Sequence, residues 1–179
     1  LFENGLSQNG PAVGNVVSQW YQQGNRGLVM GTFYWQNRSD NPNYTGNYGW
    51  GDLENIDVFN AVTGACEYNS DTMNAASVVA HPVTAGISTF FANSYRGGVT
   101  ANPGTTVLAT WTTPNQAGQP DPLVGIRETF GSRMVGISAF PDNGSHGTYG
   151  SDYGGNFYEL FENAILWSAN PCVDADGDG

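Results

Sequence analysis

Apolar residues recur along this chain with two periods, near 3.6 in two places and in short continuous or alternating runs elsewhere. Val13, Val16, Val17, Trp20 and Tyr21 share one face of a 3.6-residue repeat. Pro11 stands where a first helical turn tolerates it, and Gly24 marks the stop, so the pattern predicts a helix. A second helix is predicted after Asn156, a cap residue with Glu159 three positions on. Phe157, Leu160, Phe161, Ala164, Ile165 and Ser168 would line its inner face. Strands are predicted at 1–4, 27–33, 77–81, 105–113, 122–130 and 133–140, the last two joined by a hairpin at Gly131-Ser132. Strand, helix, strand at the start suggests a parallel βαβ unit. The unbroken apolar run Leu28-Val29-Met30 suits a strand covered on both faces.

At 179 residues, 39% of them hydrophobic, the chain has the size of one domain with a real core. No apolar run approaches the roughly 18 residues a membrane span needs. It begins at Leu1 with neither an initiator Met nor a signal peptide, as expected of a processed, trimmed or partial chain. Charge changes the picture more. Sixteen acids face five basic residues, all Arg, at 26, 38, 96, 127 and 133. A net charge of −11 disfavours nucleic acid and anionic lipid, both of which need clustered cations. Cys66 and Cys172 are too far apart in sequence for a metal knuckle, and in an exported chain they are expected to pair as a disulfide.

The segment 36–56 is polar, turn-rich and aromatic, too long for an ordinary connector, and reads as a functional surface loop. Tyr34, Trp35, Tyr44, Tyr48 and Trp50, interleaved with Asn, could stack on sugar rings, which makes them a candidate glycan site; the plainer reading is that they roof the sheet. Asp52, Glu54, Asn55 and Asp57 could bind Ca²⁺ or simply start a helix. His146 with Asp142 or Asp152 could form an acid–base pair in a loop after the last strand; His81 reads as a turn residue. No Gly-x-Ser-x-Gly elbow supports a serine hydrolase.

GLVMGTFYWQ after an amphipathic helix, HPVTAGIS at 81–88, RMVGISAFPD at 133–142 and the final FYELFENAILW together resemble the class I glutamine-amidotransferase-like domains, in particular the trehalose-utilisation type. The resemblance covers most of residues 1–170. It implies a flavodoxin-like, open, mainly parallel sheet with helices on both faces, here with a C-terminal hairpin. Ligands in such a fold sit beyond the carboxyl ends of the strands. It also implies one or more earlier strands, missing here, so that a neighbouring domain or chain would complete the sheet. The family's nucleophilic Cys falls on Phe33 and its base His on Phe140, with Asp142 at the position of the orienting acid. Neither Phe can attack or deprotonate, so no amidotransfer is expected. Residues 171–179 form a second segment, in which Asp174, Asp176 and Asp178 followed by Gly179 resemble the first half of a thrombospondin-type-3 calcium repeat. Together these features lead to the expectation of a Ca²⁺-associated, non-catalytic structural, adhesive or glycan-binding module of a larger secreted protein, extracellular or at the cell surface and bacterial. The alternative is a secreted hydrolase with a site between loops 36–56 and 142–152.

Overall fold

The computed structural model describes residues 10–32, 34–35, 49–62, 66–140 and 153–169. Nine strands and two α-helices are arranged in it as α1 (Gly10–Tyr21), β1 (Gly27–Met30), β2 (Phe59–Ala61), β3 (Asp71–Thr72), β4 (Phe90–Ala92), β5 (Val99–Ala101), β6 (Thr106–Thr110), β7 (Pro122–Thr129), β8 (Ser132–Ile137), β9 (Tyr153–Gly155) and α2 (Phe157–Ala169). The main sheet runs β1-β8-β7-β6, beside a β2-β5 pair and a β3-β4-β9 sheet.

This overturns the flavodoxin-like expectation. Only β1–β8 is parallel among the described pairs; β8–β7, β7–β6 and all pairs of the small sheets are antiparallel. The reason is connection length. Thr129 pairs with Ser132, so β7 and β8 are joined by Phe130-Gly131, and two residues permit only an antiparallel return. The turn lies one residue before the Gly131-Ser132 expected from sequence. Phe130 (φ 58°) and Gly131 (φ 70°) are both left-handed, as a primed hairpin turn requires. Residues 77–81 form no strand; 3-10 turns at Ala75–Ser77 and Pro82–Thr84 flank them.

The sheet is buried on both faces, though not by helices on both. Val29, Val124, Val135 and Ile137 pack toward α2 residues Phe157, Leu160 and Ala164. Leu28, Met30 and Met134 face the other way, toward Leu53, Val58 and Phe59. The layer on that face is the 3-10 segment Gly51–Asn55 with β2 and β5, and α1 packs outside it. Gly125 and Gly136 admit this layer: a Cβ on either would stand 2.8 Å from the Phe59 ring.

Each helix corrects its predicted face. In α1 the buried residues are Gly14, Ser18 and Tyr21, because Gly14 lets the backbone of Trp50 approach the helix closely. The apolar stripe Val13, Val16, Trp20 is turned outward. In α2 Phe157, Leu160, Ala164 and Ser168 are buried as expected, but Ile165 is exposed. The Asn156 side chain does not cap α2 through its oxygen. That atom accepts from the Ser88 and Thr89 amides at 3.0 Å, while Nδ2 donates to Glu159 at 2.8 Å.

Candidate functional site

The resemblance directs attention to the carboxyl ends of the parallel pair β1 and β8, where a switch-point crevice would lie. Here the two ends stay bonded past the strands. The Thr32 amide donates to the Ala139 carbonyl at 3.1 Å, and the Gly97 amide donates to Ser138 O at 2.8 Å. Ser138 Oγ donates to Pro122 O and accepts from Trp111 Nε1 at 2.8 Å.

Above this closure lie the aromatics. Tyr34, Trp35 and Trp50 are buried, together with Phe59. The Tyr34 hydroxyl accepts from the Phe59 amide at 2.8 Å and donates to its carbonyl at 3.3 Å, while Trp50 Nε1 donates to Tyr34 O. Trp35 meets Tyr34 and Phe59 edge-on at 5.1 and 6.0 Å. These three side chains present no face for a sugar. Burial also lifts the Tyr34 phenol well above its ordinary pKa, with Asp57 adding to the rise, so it stays neutral. Phe140 is half-buried and tilts against Tyr95 at 6.0 Å. Thr32 is buried with its hydroxyl unpartnered among the described residues. Among the described residues no base stands beside it, and a buried hydroxyl without one is not an activated nucleophile. Phe33, Tyr44, Tyr48, Asp142, His146, Asp152, Asp174, Asp176, Asp178 and Cys172 lie outside the described residues.

Under the closed end sits an ion cluster that sequence reading missed. Arg96 is fully buried, its Nη1 3.3 Å from Asp71 and 3.5 Å from Asp121. Its Nε and Nη2 donate to Asn69 O and Oδ1, each at 3.0 Å, and the guanidinium lies 5.3 Å over Trp111. Asp121 also accepts from the Gly98 and Val99 amides at 2.9 and 3.2 Å. Burial pushes Asp121 up to about 6, against those amides and Arg96. No sequence signal links these residues, which come from β3 and from separate connections.

The calcium expectations do not survive. Asp52, Glu54 and Asp57 point to different partners: Glu54 accepts from the Trp50 amide at 2.8 Å, Asp52 is exposed, and the buried Asp57 carboxylate accepts from Asn102 Nδ2. Burial, with Glu54 adding, pushes Asp57 up to about 8 while Arg127 and Asn102 oppose it. Among the described residues no group of three His, Cys, Asp or Glu could hold a metal, so Ca²⁺ is withdrawn as a cofactor. The disulfide is withdrawn too. Cys66 is a buried free thiol, pushed up to about 12 by burial, and so protonated and unreactive. His81 is structural: its Nδ1 accepts from the Val83 amide at 3.2 Å and its ring meets Trp167 edge-on at 5.0 Å. Burial lowers its pKa.

No family model matches the sequence, and no curated protein matches it significantly. Among solved structures the fold is similar to that of the Cytoplasmic Protein STM3548 from Salmonella typhimurium, with a TM-score of 0.56 and 17% identity over 87% of this chain and 59% of that one. It is also similar to the Cytoplasmic Protein STM1381 from Salmonella typhimurium LT2, with a TM-score of 0.53 and 16% identity over 90% of this chain and 60% of that one. The chain therefore spans about three-fifths of the length of these neighbours. Both are described as cytoplasmic proteins, against the expectation of an extracellular or cell-surface location, a secreted structural, adhesive or glycan-binding module, or a secreted hydrolase. None of those readings is carried further. Among the described residues no helix is long and apolar enough to cross a membrane.

Proposed function

We infer that the chain performs no glutamine amidotransfer and works by binding another protein. The observation that carries this reading is the bond from the Thr32 amide to the Ala139 carbonyl. It joins the two strand ends between which the family's nucleophile and base would face a substrate. Phe33 and Phe140 at those positions supply neither group, and Tyr34, Trp35 and Trp50 are buried. The expected result is no ammonia release from glutamine above the buffer rate, with or without Thr32→Ala. Glutamine-dependent release that disappears with Thr32→Ala would refute the reading and restore an active site at this end.

A further inference from the structure

The opposite, amino end of the β1–β8 pair is built differently. Arg26 stacks on Trp20 there, Phe130 meets the neighbouring Tyr21 edge-on at 6.5 Å, and hydrogen bonds tie the two segments together. The Asn25 amide donates to Gly131 O at 3.1 Å, the Arg26 amide to Ser132 Oγ at 3.1 Å, and the Arg133 amide to Arg26 O at 2.9 Å. The Arg26 guanidinium lies 5.7 Å over the Trp20 ring.

Three features set this end apart. First, α1 carries no charged residue, and its apolar stripe faces outward, with Val16 66% and Trp20 39% exposed. A surface helix normally turns such a stripe to the core. Second, Arg26 donates only to neutral groups, Asn25 O at 3.2 Å and Gln23 Oε1 at 3.3 Å, and its buried Nε has no acceptor among the described residues. Arg96 and Arg133, by contrast, each pair with carboxylates. Third, Phe130 is 52% exposed at φ 58°, a conformation that suits Asn or Gly and strains a bulky residue. The hairpin tip around it encloses a concavity of about 190 Å³ lined by residues 128–133.

We propose that this end is a docking surface for an acidic peptide segment of another protein, its carboxylate on Arg26 and an adjoining apolar side chain between Trp20 and Phe130. Charge complementarity sets the partner. Among the described residues Arg26 pairs with no carboxylate, and its guanidinium, 5.7 Å from an indole ring, offers a fork that suits one. A single cation is too little for nucleic acid, which needs several. The proposal rests on the reading that the chain acts by binding.

The test is selection of a random displayed peptide library on the full chain, followed by affinities of the enriched peptides. Enriched sequences are expected to carry Asp or Glu beside Trp, Phe or Leu. Arg26→Gln should weaken them about tenfold or more, as truncating one partner of a charge pair does. Trp20→Ala should weaken them with an unchanged melting curve, and Phe130→Asn should weaken them without lowering the melting temperature. Enriched peptides without acids, or equal affinity for Arg26→Gln, would overturn the proposal. So would a dimer abolished by Trp20→Ala, which would put a second copy on the surface. Ammonia release from glutamine in the same preparation would refute the non-catalytic reading separately, because neither Trp20 nor Phe130 lies at that end.

Discussion

The two ends of one parallel strand pair behave as opposites. At the carboxyl end, Thr32 bonds to Ala139, aromatics fill the space above, and Arg96 is enclosed by two aspartates. At the amino end, an arginine without a carboxylate partner among the described residues lies over Trp20, and the exposed Phe130 nearby has a left-handed backbone. Open α/β sheets bind ligands at carboxyl ends because neighbouring connections splay apart there. Here Thr32 and Ala139 bond across the two connections instead. The outward apolar stripe of α1, Arg26 and the exposed Phe130 gather at the other end.

The comparison can be broken first by cutting into the closed end. Arg96→Ala leaves Asp71 and Asp121 without their cation and should cost about 3–5 kcal/mol, the usual consequence of breaking a buried pair. Chemical denaturation measures it; a loss near zero would show that the cluster is dispensable and the end not locked. Trp20→Ala at the open end should leave the denaturation midpoint within about 0.5 kcal/mol, as surface substitutions do.

Next in size is a pH effect. Asp57 stands near 8 when folded and near the ordinary carboxylate value, about 4, when unfolded. Between those limits only the unfolded chain is ionised there, so stability falls as pH rises from about 4 to about 8 and is level above. Asp121 adds a loss of the same sign between about 4 and about 6. The groups acting on Asp57 are Glu54, Arg127 and Asn102. Asp57→Asn should therefore remove the part of the slope between about pH 6 and 8, a change of roughly 2–4 kcal/mol. Parallel slopes in variant and parent, followed by thermal melts across pH, would contradict the burial argument.

Tyr34→Phe should cost about 1–3 kcal/mol, since the Phe59 amide would lose its acceptor in the core. The smallest effect is Phe130→Asn, expected to stabilise by around 1 kcal/mol by relieving a left-handed Phe in a turn that Asn favours. A destabilised variant would mean that the edge contact of Phe130 with Tyr21 at 6.5 Å outweighs the backbone strain.

Much of this was legible in the chain as strings of residues, and some was not, for physical reasons. The runs at 105–113, 122–130 and 133–140 became β6, β7 and β8 because their apolar patterning and turn signals are local. Strand direction was misread, since the βαβ pattern at the start was extended to strands that short turns force antiparallel. The helical period of α1 was readable, but not which side would be buried. Gly14 and Ser18, weak in any hydropathy count, decided that by letting Trp50 approach. The aromatic cluster after β1 was visible; whether it would bind or roof depended on Phe59, 24 residues beyond Trp35, and on the space left by Gly125 and Gly136. Arg96, Asp71 and Asp121 come together only through the tertiary fold, and no spacing announces them.

The five tryptophans allow one experiment to compare the two ends directly. Trp20 reports on the amino end, Trp35 and Trp50 on the carboxyl end, and Trp111 and Trp167 on the ion cluster and α2. With 5-fluorotryptophan in the whole chain, ¹⁹F spectra can be followed during titration with an acidic–apolar peptide from the selection. Binding at the amino end predicts a concentration-dependent shift of the Trp20 resonance, abolished by Arg26→Gln, while those of Trp35 and Trp50 stay in place. Shifts of Trp35 and Trp50 with Trp20 unmoved would contradict the account and return recognition to the carboxyl end of the strands.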